Sequence, residues 1–149
     1  MNEYLVSAMS TIDPTPPGSA SSPPAFLRGG GDMGRRIRKH DWSGTLGPPE
    51  SWPLALREAL GICLHSSFPT AIYWGRELRL IYNDAWAPLA GDKHPWALGR
   101  RASEVWPDIW HVIEPQLKQV LKNGRGVSFS EQMLPMRRGD RIDETYWDY

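Results

Sequence analysis

The chain has 149 residues, which suits one domain with extra segments and leaves little room for two. Its 17 basic and 17 acidic residues cancel, so whole-chain charge supplies no argument for a nucleic-acid or membrane partner. The single cysteine, Cys63, excludes an intramolecular disulfide framework and a cysteine-rich zinc site.

Residues 1–40 read as a disordered Pro/Ser/Gly-rich tail followed by a basic linker. The run "DPTPPGSASSPP" has almost nothing to bury. The opening "MNEYLVSAMSTID" lacks the basic and apolar regions of a signal peptide. No apolar run reaches membrane-spanning length. The expected location is therefore cytoplasmic. Gly29, Gly31 and Gly34 formally match G-x-G-x-x-G. That motif needs a preceding buried strand and a following helix, and here it follows a Pro-rich tail. Arg28, Arg35, Arg36, Arg38 and Lys39, opposed only by Asp32, read as a solvated linker, with a phosphate- or lipid-contacting arm as the alternative.

Residues 41–66 read as a leader containing an amphipathic helix. Pro48-Pro49 breaks structure, Ser51 is the expected N-cap, and Pro53 suits a first helical turn. Leu56, Leu60, Cys63 and Leu64 then fall at i, i+4, i+7 and i+8, so the helix Trp52–Leu64 carries one apolar stripe and Cys63 is buried on it. Residues 67–149 begin with two strands, "FPTAIYWG" and "ELRLIYN", joined closely enough for an antiparallel hairpin. Asn83-Asp84 stops the second strand, and its side chains favour an Asx turn or helix start that turns Trp86 back over the sheet.

Short helical turns follow between Pro88 and Pro107. A longer helix then has Asp108 as N-cap, Ile109, Val112, Ile113, Leu117, Val120 and Leu121 as its stripe, a kink or restart expected at Pro115 and its end at Asn123-Gly124. Two last strands are joined through "RRGDR". The element order gives an α+β fold with antiparallel strands.

These elements resemble a PAS domain. "LRLIYNDAW" is similar to the second PAS strand and its N-x-A corner, "ALGRRASEVWPD" to the segment G-(K/R)-x-x-x-E-x-(W/F)-P, and "IWHVIEPQLKQVLKNG" to the long helix before strand three. The leader "DWSGTLGPPESWPLALREAL" with "ICLHSSFPTAIYWG" resembles the N-terminal PAS region of bacterial sensor proteins, in which PAS and GAF modules precede a histidine kinase, often a hybrid one, or a phosphatase output. The resemblance spans residues 41–149. It implies a five-stranded sheet in the order 2-1-5-4-3, whereas four strands are legible. The expectation is an incomplete chain, cut within a longer protein, that is marginally stable or borrows a strand from a partner. The resemblance further implies a non-catalytic sensory module regulating a histidine kinase or similar output in a two-component system. The alternative is a standalone protein that binds an aromatic ligand.

No catalytic constellation is legible. His40, His65, His94 and His111 lack metal-ligand spacing, and no phosphoacceptor or ATP-binding motif appears. "RGD" at Arg138–Asp140 reads as a hairpin turn. The tryptophans, eight in all, point first to ring packing and second to a pocket for a flat ligand. The candidate pocket is Trp74, Tyr82, Trp86, Trp110 and His111. Cys63 precedes the first strand, so the covalent flavin chemistry of light-sensing relatives is not expected. His111 lies on the helix that carries the axial ligand in haem-binding relatives and is the weaker cofactor alternative to an empty core. Leu56 and Leu60 are the candidate contacts with a second copy or an output domain.

Overall fold

A computed structural model of the protein describes residues 23–149. The tail expected over residues 1–22 lies outside the described residues.

The basic run is not a linker. It forms the first helix, α1 (Gly31–Lys39), after a single 3-10 turn at Ala25–Leu27. The cause is burial, since Met33, Gly34 and Ile37 share one face and are buried. Three of its four basic side chains find acceptors nearby. Asp32 pairs with Arg35 and, at 2.6 Å, with Arg36. Arg38 turns back to the carbonyls of Leu27 and Gly29.

The second helix, α2 (Leu54–His65), buries Leu56, Leu60, Cys63 and Leu64 as its stripe requires. Leu56 and Leu60 are both completely buried, so they hold the core together and cannot form an exposed contact surface. Ser51 does not cap this helix. Residues Pro49–Ser51 make their own 3-10 turn, and the Ser51 hydroxyl donates to the Pro48 carbonyl at 2.8 Å. Pro53 takes the cap position, where it offers no side-chain acceptor. The leader is pinned instead by two indoles. Trp42 Nε1 donates to the Ile37 carbonyl and Trp52 Nε1 to the Gly47 carbonyl, each at 2.9 Å. The two rings meet edge to face at 5.1 Å.

The strands β1 (Ala71–Trp74) and β2 (Arg79–Tyr82) pair antiparallel, with Tyr73 opposite Leu80. The outer edge of β2 is covered by the segment 99–102. Leu80 N–H donates to Arg100, its carbonyl accepts from Gly99, and Ala102 N–H donates to Leu78. Two short helices follow, α3 (Ala87–Ala90) and α4 (Ala102–Val105), and then the long α5 (Trp110–Asn123). Ile109 stands at the N-cap of α5, so Asp108 is one residue too early to cap it. Pro115 lies inside this helix, and Gly124 ends it in the left-handed conformation at φ 61°.

The strands β3 (Gln132–Arg138) and β4 (Arg141–Trp147) form a second antiparallel hairpin across the two-residue turn Gly139-Asp140. Pairing resumes beyond it as reciprocal bonds between Phe129 and Tyr149. The residue count shifts by one between the two stretches, which marks a bulge at Glu131, where φ is 52°. The fold is α+β, and the described strands make two separate two-stranded sheets. One apolar core unites them, running from Leu27 to Ile109 and taking in Leu134 and Met136 of the second hairpin.

Candidate ligand groove

The corner after β2 organises the site. Asn83 is 2% exposed and bonded in every direction. Its Oδ1 accepts from Thr70 N–H at 3.1 Å and Trp86 N–H at 2.9 Å. Its Nδ2 donates toward the carbonyls of Cys63, Ser66 and Phe68. One side chain therefore ties the end of α2 to the start of β1 and to the turn that aims Trp86. Asp84 beside it reaches the opposite way. Its carboxylate accepts from Asp32 N–H at 2.9 Å and Met33 N–H at 2.7 Å, which caps α1 and docks it on the strand corner.

Trp86 turns back over the sheet, as its position after the corner requires. It stacks obliquely on Tyr82 at 4.7 Å and meets Trp106 edge to face at 5.8 Å. Trp106 Nε1 donates to the Tyr73 hydroxyl at 3.2 Å. Burial pushes the Tyr73 phenol up to about 12. Together Tyr73, Trp86 and Trp106 form one wall of a groove of about 440 Å³ between the two hairpins. Ile109 at the N-cap of α5 and Ile113, Leu117 and Val120 within it form a second wall, and Leu134, Met136 and Trp147 a third. Among the described residues no charged side chain lines it. Its polar groups are few. Tyr149 Oη lies 2.8 Å from Oε1 of both Gln116 and Gln132, its single hydrogen serving one of them at a time, and Gln116 and Tyr149 border the groove. This arrangement accepts an apolar or aromatic guest and offers a small set of neutral hydrogen-bonding groups to orient it.

Of the five residues read from the sequence as a pocket, Trp86 borders the groove. Tyr82 is completely buried behind it, with its hydroxyl 3.0 Å from His94 Nδ1. Trp74 lies one residue beyond Tyr73 in the strand, so its side chain projects from the opposite face. Trp110 is half-buried outside the groove lining, and His111 is exposed. The geometry therefore turns His111 away from any guest in the groove. Sequence reading missed Tyr73, Trp106 and Trp147. The alternation of "AIYW" carried the signal for Tyr73, since Ala71 and Tyr73 share the groove-facing side.

Two further residues settle smaller points. Cys63 is buried, and desolvation pushes its thiol up to about 11, which makes it a poor nucleophile. Among the described residues no group of three His, Cys, Asp or Glu is placed to hold a metal ion. No helix among them is long and apolar enough to cross a membrane. Comparison with protein-family models, with curated proteins and with solved structures finds no match to this chain.

Proposed function

We propose that the chain is a non-catalytic, PAS-like sensory module whose groove takes a small apolar or aromatic ligand, and that occupancy of the groove biases a histidine kinase or similar output in a two-component system. The observation that carries this reading is the uncharged, tryptophan-bordered groove between the hairpins. Sensing by this route needs a site that couples separate elements. Here β1, α5 and the β3–β4 hairpin all border one space, so a guest that fits one arrangement of them better shifts the balance between arrangements. The alternative, a standalone binder of aromatic ligands, uses the same groove without an output.

The neutral fluorophore N-phenyl-1-naphthylamine tests the site. Saturable one-to-one binding with energy transfer from tryptophan is expected. Ile113→Trp and Leu117→Trp, which fill the groove, should abolish it. Absence of saturation, or binding untouched by both fillings, refutes the ligand site. Fusion of the chain to the catalytic core of a sensor kinase tests the output. A ligand-dependent change in autophosphorylation is expected, and unchanged autophosphorylation with intact binding leaves the standalone binder.

A further inference from the structure

We propose that the cleft between α1 and the segment 95–98 binds a phosphate-bearing anion, whose phosphoryl oxygens are held by Arg35, Arg36 and Lys39. This site shares no lining residue with the groove and does not rest on the ligand reading of it.

Charge supplies the first argument. The cleft encloses about 520 Å³, with the three cations, Asp32 and His40 on one side and Pro95 and Leu98 on the other. Three permanent cations face one carboxylate, which leaves a net charge of about +2. His40 adds a neutral ring, because burial lowers its pKa. Arg100, 5.1 Å above the Trp96 ring, adds its positive field at His40. Asp41 opposes that field, and its carboxylate already accepts from Ser43 N–H at 3.0 Å.

The donors are in place as well. Asp32 Oδ1 accepts from Nη2 of Arg35, and its Oδ2 from Nε of Arg36 at 2.6 Å. One carboxylate therefore holds two guanidinium groups side by side and uses one N–H of each. Their other N–H groups, and the Lys39 ammonium, have no partner among the described residues. Arg35 and Lys39 stand four residues apart, a like-charge pair that weakens a helix and that an anion between them relieves. The dipole of α1 favours cations in its last turn, but it gives no reason for Arg35 at mid-helix.

Both walls are fixed. Met33 and Ile37 are completely buried and seat α1 in the core, and Asp84 caps its first turn. His40 lies on Trp42 at 4.3 Å and against Gly99, where a Cβ would stand 2.8 Å from its Nε2. Opposite, Ala97 N–H donates to the Lys93 carbonyl and Gly99 N–H to that of Leu80, which anchors the 95–98 segment to β2. A preformed site loses little entropy on binding. Chemistry then selects the ligand. Arginine forks match phosphate oxygens in pairs, and a phosphate dianion balances the net charge where a carboxylate supplies half of it. Arg35 to Lys39 spans about 6 Å along the helix axis, which suits one phosphate or diphosphate group and not the repeated phosphates of a nucleic acid. The remaining volume takes the organic part of such a molecule beside Pro95 and Leu98.

The probe is inorganic pyrophosphate, titrated into the full chain at low ionic strength and followed by calorimetry and by the NMR signals of the histidine rings. Saturable one-to-one binding is expected, with movement of the His40 signals and none at His111, which lies outside the cleft. Arg36→Gln and Lys39→Gln should each weaken binding about tenfold. Lys39 is exposed, so its replacement keeps the fold. The control is Lys122→Gln, which removes an exposed cation of α5 outside the cleft and should leave binding unchanged. Phosphatidylcholine vesicles with and without phosphatidic acid then separate the sources of the phosphate. Retention on the phosphatidic acid vesicles that pyrophosphate competes away assigns it to a lipid headgroup, and equal behaviour on both assigns it to a soluble molecule. Absence of saturation, no movement at His40, or equal weakening by Lys122→Gln overturns the site.

Discussion

At the scale of single residues, the corner Asn83-Asp84 shows how far a sequence can be read and where reading stops. An Asn-Asp pair after an alternating strand announces a turn, because both side chains can take the place of backbone acceptors. What the pair binds is invisible in sequence, since Cys63, Ser66, Phe68 and Thr70 reach Asn83 only through the fold. Asn83→Ala leaves several buried backbone groups without partners, and the expected loss is about 2–4 kcal/mol, read as a lower midpoint in urea with an unchanged slope. A midpoint within error of the parent would show that these bonds add nothing. Burial acts on titration at the same scale. It raises Cys63 from 9.0 to about 11, and Tyr73 and Tyr82 from 10.0 to about 12. Below about pH 8 these groups are protonated in both states and stability owes no slope to them. Above it the unfolded chain releases protons that the folded chain keeps, so stability falls as pH rises toward 12. Urea titrations between pH 8 and pH 11 should show this decline, and a flat or rising profile contradicts it.

At the scale of elements, α2 and α5 were legible because long apolar stripes at helical spacing survive without knowledge of partners. The helix α1 was not. Its two glycines and five charges among nine residues resemble a linker, and its buried face is Met33, Gly34 and Ile37 alone. Tertiary contact decides the matter, since Gly34 lies against the chain at Gly29 and Gly31 against Asp84. This gives a prediction of opposite signs for one chemical change. Alanine in place of glycine favours an interior helical position by about 1 kcal/mol. At Gly61 in α2 a new Cβ meets nothing, so Gly61→Ala should raise the melting temperature. At Gly34 the Cβ would stand 2.2 Å from the Gly29 carbonyl oxygen, a backbone atom. Gly34→Ala should therefore lower stability by about 1–3 kcal/mol despite its better propensity. Calorimetry on the two variants decides it, and a gain at both positions would mean that α1 is not seated on the 27–29 segment.

At the scale of the whole molecule, the two hairpins hold unequal positions in the core. The first has α2 packed on β1, and its Tyr82 is covered by Trp86. The second is secured from one face by Leu134 and Met136, while Met133, Ile142 and Tyr146 stand exposed on the other. Its polar ties include the bond from Gln116 Nε2 of α5 to Gln132 Oε1 at 3.0 Å. Gly139 N–H donates to Asp92 at 3.2 Å, Lys93 reaches the Arg137 carbonyl, and Arg137 lies 3.8 Å from Asp108. An exposed ion pair such as Arg137–Asp108 contributes about 0–1 kcal/mol and an exposed hydrogen bond about as little, so the apolar contacts dominate the docking. The sequence announced the hairpin through its Gly139 turn but not its manner of attachment, because both of its faces carry apolar residues and alternation alone could not choose the inner one. Leu134→Ala removes a side chain only 4% exposed and should cost about 2–4 kcal/mol. That loss belongs to the hairpin and not to the molecule as a unit. Amide exchange should accelerate across β3 and β4 while α2 and the β1–β2 pair keep their protection, since every member of the buried core cluster except Leu134 and Met136 lies outside the second hairpin. Uniform acceleration throughout the chain would show instead that the groove is bordered by one cooperative body, and that a guest entering it must work against the stability of the whole fold.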